Sequence, residues 1–482
     1  MYVLHLLASI RISVFLFMSK YTHPYIVIFY LLITFVSCTG IEKSDTVYFG
    51  GKIINPKTKF VVLYSNNVVI DTLELNDRNK FLGSYNHLKE GLYYFEHGTE
   101  NQYVYLEPKD SLMLRLNTWN FDESLVFAGK GAERNNILVD IFLEDENEKK
   151  LFYQFSNLKP KAYQRKINTR ITDRLITFDD YKNNHPKETL AYLKVLKTAL
   201  IYPIYARIER YPISHVFVSK KLNFPKLDSS FYEYRKNIDF NDSTLMYYTP
   251  YARYITNYLY NATYALGHKP MMTEFSSDFT VDLLQTIDTK INLSDSKNAF
   301  LKRTVLDHFL RKSSCNINKK AFNTFFKLST NAVDKKLVKN LLEDNKTLHK
   351  GQKLEGFAIS DFTDHSISIK DFTNGKNTVL FFWRRANISK SFIDARIPFL
   401  QKKYPSLNFA VIEIDGNSDN RIPNIDIKNQ YYINSKTLEK NFLTSDMHRT
   451  ILVNKKGIVE NGYAAISSIN IYEQLQKLSE IN

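Results

Sequence analysis

Residues 377–392 read NTVLFFWRRANISKSF. The segment Thr378–Trp383 is almost wholly apolar, and an unbroken run of this length predicts a strand that is buried on both faces of its sheet. A helix is predicted directly behind it, over Ser389–Tyr404. The stretch therefore predicts a central strand, a short polar loop and a helix.

The segments that follow continue this α/β pattern. A second parallel strand, the two strands of a closing hairpin and a terminal helix are predicted, in that order, at Asn408–Asp415, Thr450–Asn454, Ile458–Asn461 and Ile471–Leu478. The order βαβ followed by ββα is the thioredoxin order. The lead-in from Gly351, with Asp371-Phe372 and Gly375-Lys376, resembles that of the redoxin family. We expect a thioredoxin-like domain over residues 351–482.

The loop behind the central strand lacks the residues that give this family its chemistry. An active member carries Trp-Cys-x-x-Cys there, and counting from Phe382-Trp383 places the two cysteine positions on Asn387 and Lys390. The resemblance also implies a cis-proline, whose position falls on His448. Because a cis bond before another residue costs about 3 kcal/mol, we expect a trans bond there. The sequence predicts the scaffold without the catalytic disulfide and without catalytic residues.

The basic residues around the loop allow two interpretations. Arg384, Arg385 and Arg449, with Lys390 and His448 nearby, would form a cationic pocket at a helix N-terminus, suited to a carboxylate or a phosphate. The alternative is a degenerate loop with solvated basic side chains. Neither interpretation involves redox chemistry.

The start of the chain predicts export. Tyr25–Val36 is apolar but short for a membrane span, which is typical of a signal peptide over residues 1–37, with Met1 or Met18 as the start. The run ends in TFVSCTG, which resembles the lipobox of bacterial lipoproteins and predicts lipid attachment at Cys38. The alternative is an uncleaved signal anchor. We expect a lipid anchor in the cell envelope, most simply in the outer membrane and facing the periplasm.

Removal of the signal peptide would leave Cys315 as the free side-chain thiol of the mature chain, so no disulfide within one molecule is expected. His308 lies about two helical turns, or roughly 10 Å, before it, which is too far to activate the thiol directly. The thiol is therefore interpreted as buried or idle. The alternative is a reactive cysteine that supports reductase activity.

Two further segments precede the α/β part. Residues 46–131 contain short runs rich in Val, Tyr and Phe, which predict an antiparallel β-sandwich. Residues 135–348 show helical spacing, and the stripe that includes Tyr251, Tyr254 and Tyr258 is interpreted as core, with a carbohydrate platform as the alternative. The junction Phe127–Asn135 resembles the F-x-G-x-G-A-x-x-N motif that closes the β domain of TlpA-like lipoproteins of the Bacteroidetes.

Composition excludes several classes of function. The net charge is +15 over 482 residues, but the basic residues are scattered and no aromatic-basic motif accompanies them, so no nucleic acid partner is expected. The dispersed histidines predict no metal site, and no P-loop or dinucleotide motif predicts a cofactor.

The resemblance to the TlpA-like lipoproteins covers nearly the whole mature chain. It implies three parts: a β-sandwich, an all-α domain and a thioredoxin-like domain. We expect a redox-inactive protein that binds peptide or protein clients. The alternative is a thiol-disulfide oxidoreductase, or a peroxide-linked reductase, that uses Cys315 or a partner's thiol. A third possibility is glycan binding by the β domain.

Overall fold

A computed structural model describes residues 45–270, 276–312, 318–385, 387–417, 421–439, 442–445 and 447–481. The chain divides into two compact units, residues 1–137 and 138–482. The predicted signal peptide with Cys38, and the thiol of Cys315, lie outside the described residues. Their roles therefore stay predictions.

The first unit is built from β-strands. They are β1 (Val47–Ile54), β2 (Phe60–Ser65), β3 (Val68–Glu74), β4 (Lys80–Tyr85), β5 (Gly91–His97), β6 (Glu100–Leu106), β7 (Ser111–Asn117) and β8 (Val126–Lys130). Within residues 45–137 they form two four-stranded sheets, ordered β4-β1-β7-β8 and β3-β2-β5-β6. Phe49 of β1 and Phe95 of β5 are both fully buried, with ring centroids 5.9 Å apart. Since these rings come from different sheets, the unit has the layered core of a sandwich.

One strand pair differs from the antiparallel pattern predicted for the sandwich. β1 and β7 run parallel, with Gly50 opposite Met113. Every other pairing in this unit is antiparallel among the described residues. The chain visits both sheets between β1 and β7, so β7 can return beside β1 in the same direction without a hairpin.

The junction motif holds the first turn of the next helix, which still belongs to the first unit, against a strand of the sandwich. Helix α1 (Ala132–Phe155) begins in the first unit, and the Asn135 side chain bonds both main-chain groups of Tyr105, at 2.6 and 2.9 Å. Gly129 has φ +90°, and an added Cβ would lie 2.0 Å from the carbonyl oxygen of Ser111. The motif residues thus satisfy strand groups that would otherwise be buried without partners.

The second unit begins with helices. They are α2 (Pro160–Asn184), α3 (Leu190–Ser219), α4 (Thr249–Tyr264), α5 (Ser277–Lys290), α6 (Ser294–Lys312), α7 (Lys319–Leu328) and α8 (Ala332–Thr347), with a 3₁₀ helix at Ser229–Asn237. The tyrosines at 251, 254 and 258 of α4 are all buried. This agrees with the core interpretation of the stripe, because a carbohydrate platform needs exposed rings.

An α/β segment completes the second unit. Its strands are β9 (Ala358–Ser360), β10 (Ser366–Ser368), β11 (Thr378–Trp383), β12 (Asn408–Ile414), β13 (Gln430–Ile433), β14 (Arg449–Val453) and β15 (Val459–Ala464). Its helices are α9 (Ile369–Thr373), α10 (Lys390–Lys403), α11 (Ser435–Glu439) and α12 (Ile471–Ser479), with a 3₁₀ turn at Ile427–Asn429. Over the described part of residues 351–481 the strands form one seven-stranded sheet, ordered β10-β9-β13-β12-β11-β14-β15.

The pairing directions in this sheet are those of a thioredoxin-like fold. β11 is parallel to β12 and antiparallel to β14, which in turn pairs antiparallel with β15. The predicted βαβ and ββα elements are therefore present. β13 is a difference from the sequence analysis, since it adds a short parallel strand on the far side of β12.

The helical and α/β segments pack together within the second unit. The Asp344 carboxylate of α8 accepts hydrogen bonds from the main-chain N–H groups of Thr444 and Ser445, at 2.7 and 2.8 Å. Phe309 of α6 meets the ring of Tyr463 on β15 edge to face, with centroids 4.8 Å apart. The boundary predicted between residues 348 and 351 therefore lies inside one compact unit.

A buried histidine predicts how the stability of the first unit depends on pH. His97 accepts a hydrogen bond at Nε2 from the Lys57 N–H and lies 3.0 Å from the Phe60 carbonyl through Nδ1, an arrangement that suits the neutral ring with its proton on Nδ1. Burial lowers the pKa of His97 below its usual 6.5. As the pH falls through about 6.5, His97 therefore takes up a proton more readily in the unfolded chain than in the folded one. The neutral, hydrogen-bonded ring stabilises the first unit above that pH, and this stabilisation is lost below it.

Hydrogen exchange of the β2 and β5 amides, corrected for the intrinsic rate, should show protection that falls below about pH 6.5. His97→Gln should flatten this dependence. His87→Gln is the matched control, because His87 is exposed in the same unit, and it should behave as the parent. An unchanged pH dependence in His97→Gln would contradict the assignment.

Candidate functional site

The loop between β11 and α10 is the candidate site, because it lies at the carboxyl ends of the parallel strands β11 and β12. Helix α10 begins at Lys390, and Ser389 caps it by accepting a hydrogen bond from the Phe392 N–H at 3.2 Å. Asn387 is exposed in the loop. Both residues assigned to the missing cysteine positions thus lie at or just before a helix N-terminus, where the family's redox pair is expected.

Two arginines of the loop are held by carboxylates from the end of β12. Arg384 Nη1 lies 2.7 Å from Asp415 Oδ2, and Arg385 Nε lies 2.8 Å from Glu413 Oε1. Burial raises the pKa of Asp415, but hydrogen bonds from Ser435 and Arg384 outweigh it and hold that pKa below its usual range. Each arginine is therefore matched by an acid, and the pair of ion pairs adds no net positive charge to the loop.

Lys390 projects from the first turn of α10. Its Nζ lies 3.3 Å from the main-chain carbonyl of Arg421. Burial, together with the nearby charge of Arg385, lowers the pKa of the Lys390 ammonium, while Glu413 acts in the opposite direction. Lys390 is thus partly enclosed and is not a fully solvated side chain.

Arg449, the third arginine assigned to the anion pocket, does not face solvent. It is completely buried on β14, where Nε donates to the Gly462 carbonyl at 2.7 Å and Nη1 donates to the Phe442 carbonyl. Its guanidinium lies over the Tyr463 ring, 4.6 Å from the centroid. Arg449 is therefore part of the protein core and cannot bind an anion from solvent. Its charge is compensated by main-chain carbonyls and by an aromatic ring.

His448 precedes β14 at the position of the family's cis-proline. No peptide bond is cis among the described residues, so the bond before His448 is trans. The side chain is buried, its Nδ1 has no hydrogen-bond partner among the described residues, and burial lowers the pKa of the imidazole. A neutral His448 adds no positive charge to the anion pocket that the sequence predicts. Of the three arginines assigned to that pocket, two are paired with carboxylates and the third is buried.

No group of three or more His, Cys, Asp or Glu side chains that could hold a metal ion occurs in the described part of the chain.

Comparisons with known proteins concern the α/β segment. No family model matches the chain, and no curated protein matches it. The thioredoxin domain of a thiol-disulfide oxidoreductase from Bacteroides vulgatus is 19% identical, with 28% of this chain and 99% of that chain covered and a TM-score of 0.23. A thiol:disulfide interchange protein from Bacteroides sp. is 22% identical, with 27% and 90% covered and a TM-score of 0.22.

A thiol peroxidase from Chromobacterium violaceum is 12% identical, with 27% of this chain and 86% of that chain covered and a TM-score of 0.21. The structural neighbours are thus mainly thioredoxin-like thiol-disulfide oxidoreductases, and they cover about a quarter of the chain. The strand order and pairing directions described above establish the thioredoxin-like fold of this segment.

The carboxylates at Glu413 and Asp415 were missed by the sequence analysis. The signal that could have revealed them is their position, because the ends of two adjacent parallel strands meet at one edge of a sheet. Trp383 pairs with Glu413 in the register, so the residues after β11 and the acids that end β12 must be neighbours.

The unequal burial of the Arg385–Glu413 pair predicts an asymmetry in stability. The Glu413 side chain is only 8% exposed, whereas that of Arg385 is 50% exposed. Arg385→Gln should therefore lower the free energy of unfolding by about 1–3 kcal/mol, because it leaves a buried carboxylate without its partner. Glu413→Gln should lower it by less than about 1 kcal/mol, because Arg385 can turn into solvent.

Urea unfolding of the two single variants and of the double variant measures this difference. The double variant should recover most of the loss seen in Arg385→Gln. Equal losses for the two single variants would show that the pair does not work in this way.

Proposed function

We propose that the α/β segment is a redox-inactive thioredoxin-like domain that binds peptide or protein clients without exchanging disulfides. The observation that carries the proposal is the β11–α10 loop, which has the strand and helix of a redox site but holds Asn387 and Lys390 at the cysteine positions. Disulfide exchange requires attack by a thiolate, and neither side chain supplies one.

The position of the loop supports a binding role. In open α/β sheets, ligands bind outside the carboxyl ends of the strands, and this loop follows the central strand at that edge. Asn387 is exposed in this loop, so an extended peptide can contact it. Carboxylates neutralise Arg384 and Arg385, which favours clients that are not selected by strong negative charge.

We also propose that the protein works in the cell envelope, held to the outer membrane by lipid on Cys38. This part of the proposal rests on the sequence of residues 1–40. Among the described residues, no helix is long and apolar enough to span a membrane.

The absence of redox activity and the presence of client binding are tested together. Insulin-disulfide reduction should show no turnover for the protein or for its Cys315→Ser variant. The protein should nevertheless bind reduced, carboxymethylated α-lactalbumin, an unfolded client without free thiols, in fluorescence anisotropy. Asn387→Trp should weaken that binding about tenfold or more, because it fills the loop surface at the centre of the proposed contact.

Asn374→Trp is the matched control, since Asn374 is exposed at the opposite end of β11. It should leave binding unchanged. Turnover that vanished in Cys315→Ser would support the reductase alternative. Equal binding by Asn387→Trp and the parent would remove the loop from the client site.

The lipid anchor predicts labelling at one residue. Cells that express the chain and are fed an alkyne fatty acid should incorporate the label into the parent protein. Cys38→Ser should abolish the label, because it removes the thiol that the lipid modifies, whereas Cys315→Ser should retain it. A labelled Cys38→Ser protein would exclude the lipobox assignment.

A further inference from the structure

A cavity of about 390 Å³ is lined by residues of α2, of α3 and of the 3₁₀ helix Ser229–Asn237, in the helical part of the second unit. Its volume falls within the roughly 300–1,000 Å³ that is usual for sites of small organic molecules. Its described lining contains none of the residues of the β11–α10 loop. The cavity is therefore separate from the thioredoxin-like site.

The most buried of the lining residues form an apolar floor. They are at most 5% exposed, and they are Tyr163, Ile167, Ile208 and Phe231. The Tyr163 hydroxyl donates a hydrogen bond to the Arg207 carbonyl at 3.1 Å, so the polar tip of this tyrosine is already used. A buried water molecule needs two to four polar partners to be held firmly. The floor therefore favours an apolar group over water.

The 3₁₀ helix on one side of the cavity is fixed by buried contacts. Glu209 of α3 is fully buried, and its carboxylate accepts hydrogen bonds from the Tyr234 hydroxyl at 2.7 Å and from Arg235 Nε at 2.8 Å. The Phe231 ring packs against that of Tyr211 on α3, with centroids 5.6 Å apart. The cavity is thus shaped before a ligand arrives, which lowers the entropic cost of binding.

The opening of the cavity is polar but carries no excess charge. Gln164 Nε2 donates a hydrogen bond to the Ser230 hydroxyl oxygen at 3.3 Å, and Asn168 is exposed one turn further along α2. Glu233 is the acidic residue among the described lining residues, and its carboxylate is matched by Lys236 at 3.0 Å. No Lys, Arg or His occurs among the described lining residues, although the net charge of the chain is +15. The lining therefore does not attract an anion.

The geometry points to a binding site for a small uncharged aromatic alcohol, whose ring would lie on the apolar floor and whose hydroxyl would bond the amides of Gln164 and Asn168. An amide group both donates and accepts hydrogen bonds, and so does a hydroxyl group. The rings of Tyr163 and Phe231 are nearly parallel, with centroids 6.0 Å apart, so a flat aromatic ligand can extend their arrangement.

Equilibrium dialysis of the whole protein against 2-naphthalenemethanol tests the proposal. The parent should bind one molecule per chain, with saturation. Ile171→Trp should weaken binding at least about tenfold, because Ile171 lines the cavity and the larger side chain would fill it. Ile176→Trp is the matched control, since Ile176 is exposed on the same helix and lies outside the described lining, and it should bind as the parent does.

Asn168→Ala keeps the test independent of folding, because Asn168 is exposed. It should weaken the binding of 2-naphthalenemethanol about threefold or more, since it removes one hydrogen bond to the hydroxyl. It should leave unchanged the binding of 2-methylnaphthalene, which has the rings without the hydroxyl. A partly unfolded variant would lose affinity for both molecules.

Charged analogues test the class of ligand. 2-Naphthoate should bind at least about tenfold more weakly than the alcohol, because Glu233 repels it and no described lining residue is basic. Equal or tighter binding of 2-naphthoate or of 2-naphthylmethylammonium would overturn the assignment to an uncharged ligand. Absence of saturable binding, or equal affinity in Ile171→Trp and the parent, would overturn the proposal.

Discussion

The burial of β11 on both faces is the constraint on which the α/β segment depends. Every residue of Thr378–Trp383 is buried. Leu380 and Phe382 pack into the core on one side of the sheet, and Val379, Phe381 and Trp383 pack into the core on the other. Full burial of an apolar side chain of this size contributes about 1.5–3 kcal/mol, so a one-residue slip that exchanged the two faces would disturb both cores. The strand therefore holds its loop, and the first turn of α10, in place.

Packing across the second unit extends this constraint to the helices. Phe309 of α6 meets the ring of Tyr463 on β15 edge to face. Asp344 joins α8 to the segment before β14, because its carboxylate accepts hydrogen bonds from two main-chain N–H groups of that segment. Contacts of this kind join the helical and α/β segments within one compact unit.

The parts of the fold that follow a local pattern could be predicted from the sequence. The apolar run of β11 predicted its strand without error, and the helix predicted at Ser389–Tyr404 is present as α10, since its N-cap serine and its apolar spacing are local signals. The parallel pairing of β1 with β7 could not be predicted in this way, because it depends on strands that visit the other sheet in between. β13 was missed for a related reason, since a four-residue strand carries too little periodicity to be recognised.

The charged groups show most clearly where local patterns stop being informative. A basic residue in a sequence has the same charge whether its partner is a carboxylate, a carbonyl or a ligand, and the partner is set by pairings between distant segments. Arg384 and Arg385 looked available for an anion, but the register of β11 with β12 brings Glu413 and Asp415 beside them. Arg449 also looked available, but its position on β14 brings it to main-chain carbonyls and to the ring of Tyr463. The same physical rule applies to all three arginines, because a charge that is wholly or partly removed from water needs a partner. Carboxylates are that partner for the two arginines of the loop, and main-chain carbonyls are that partner for Arg449.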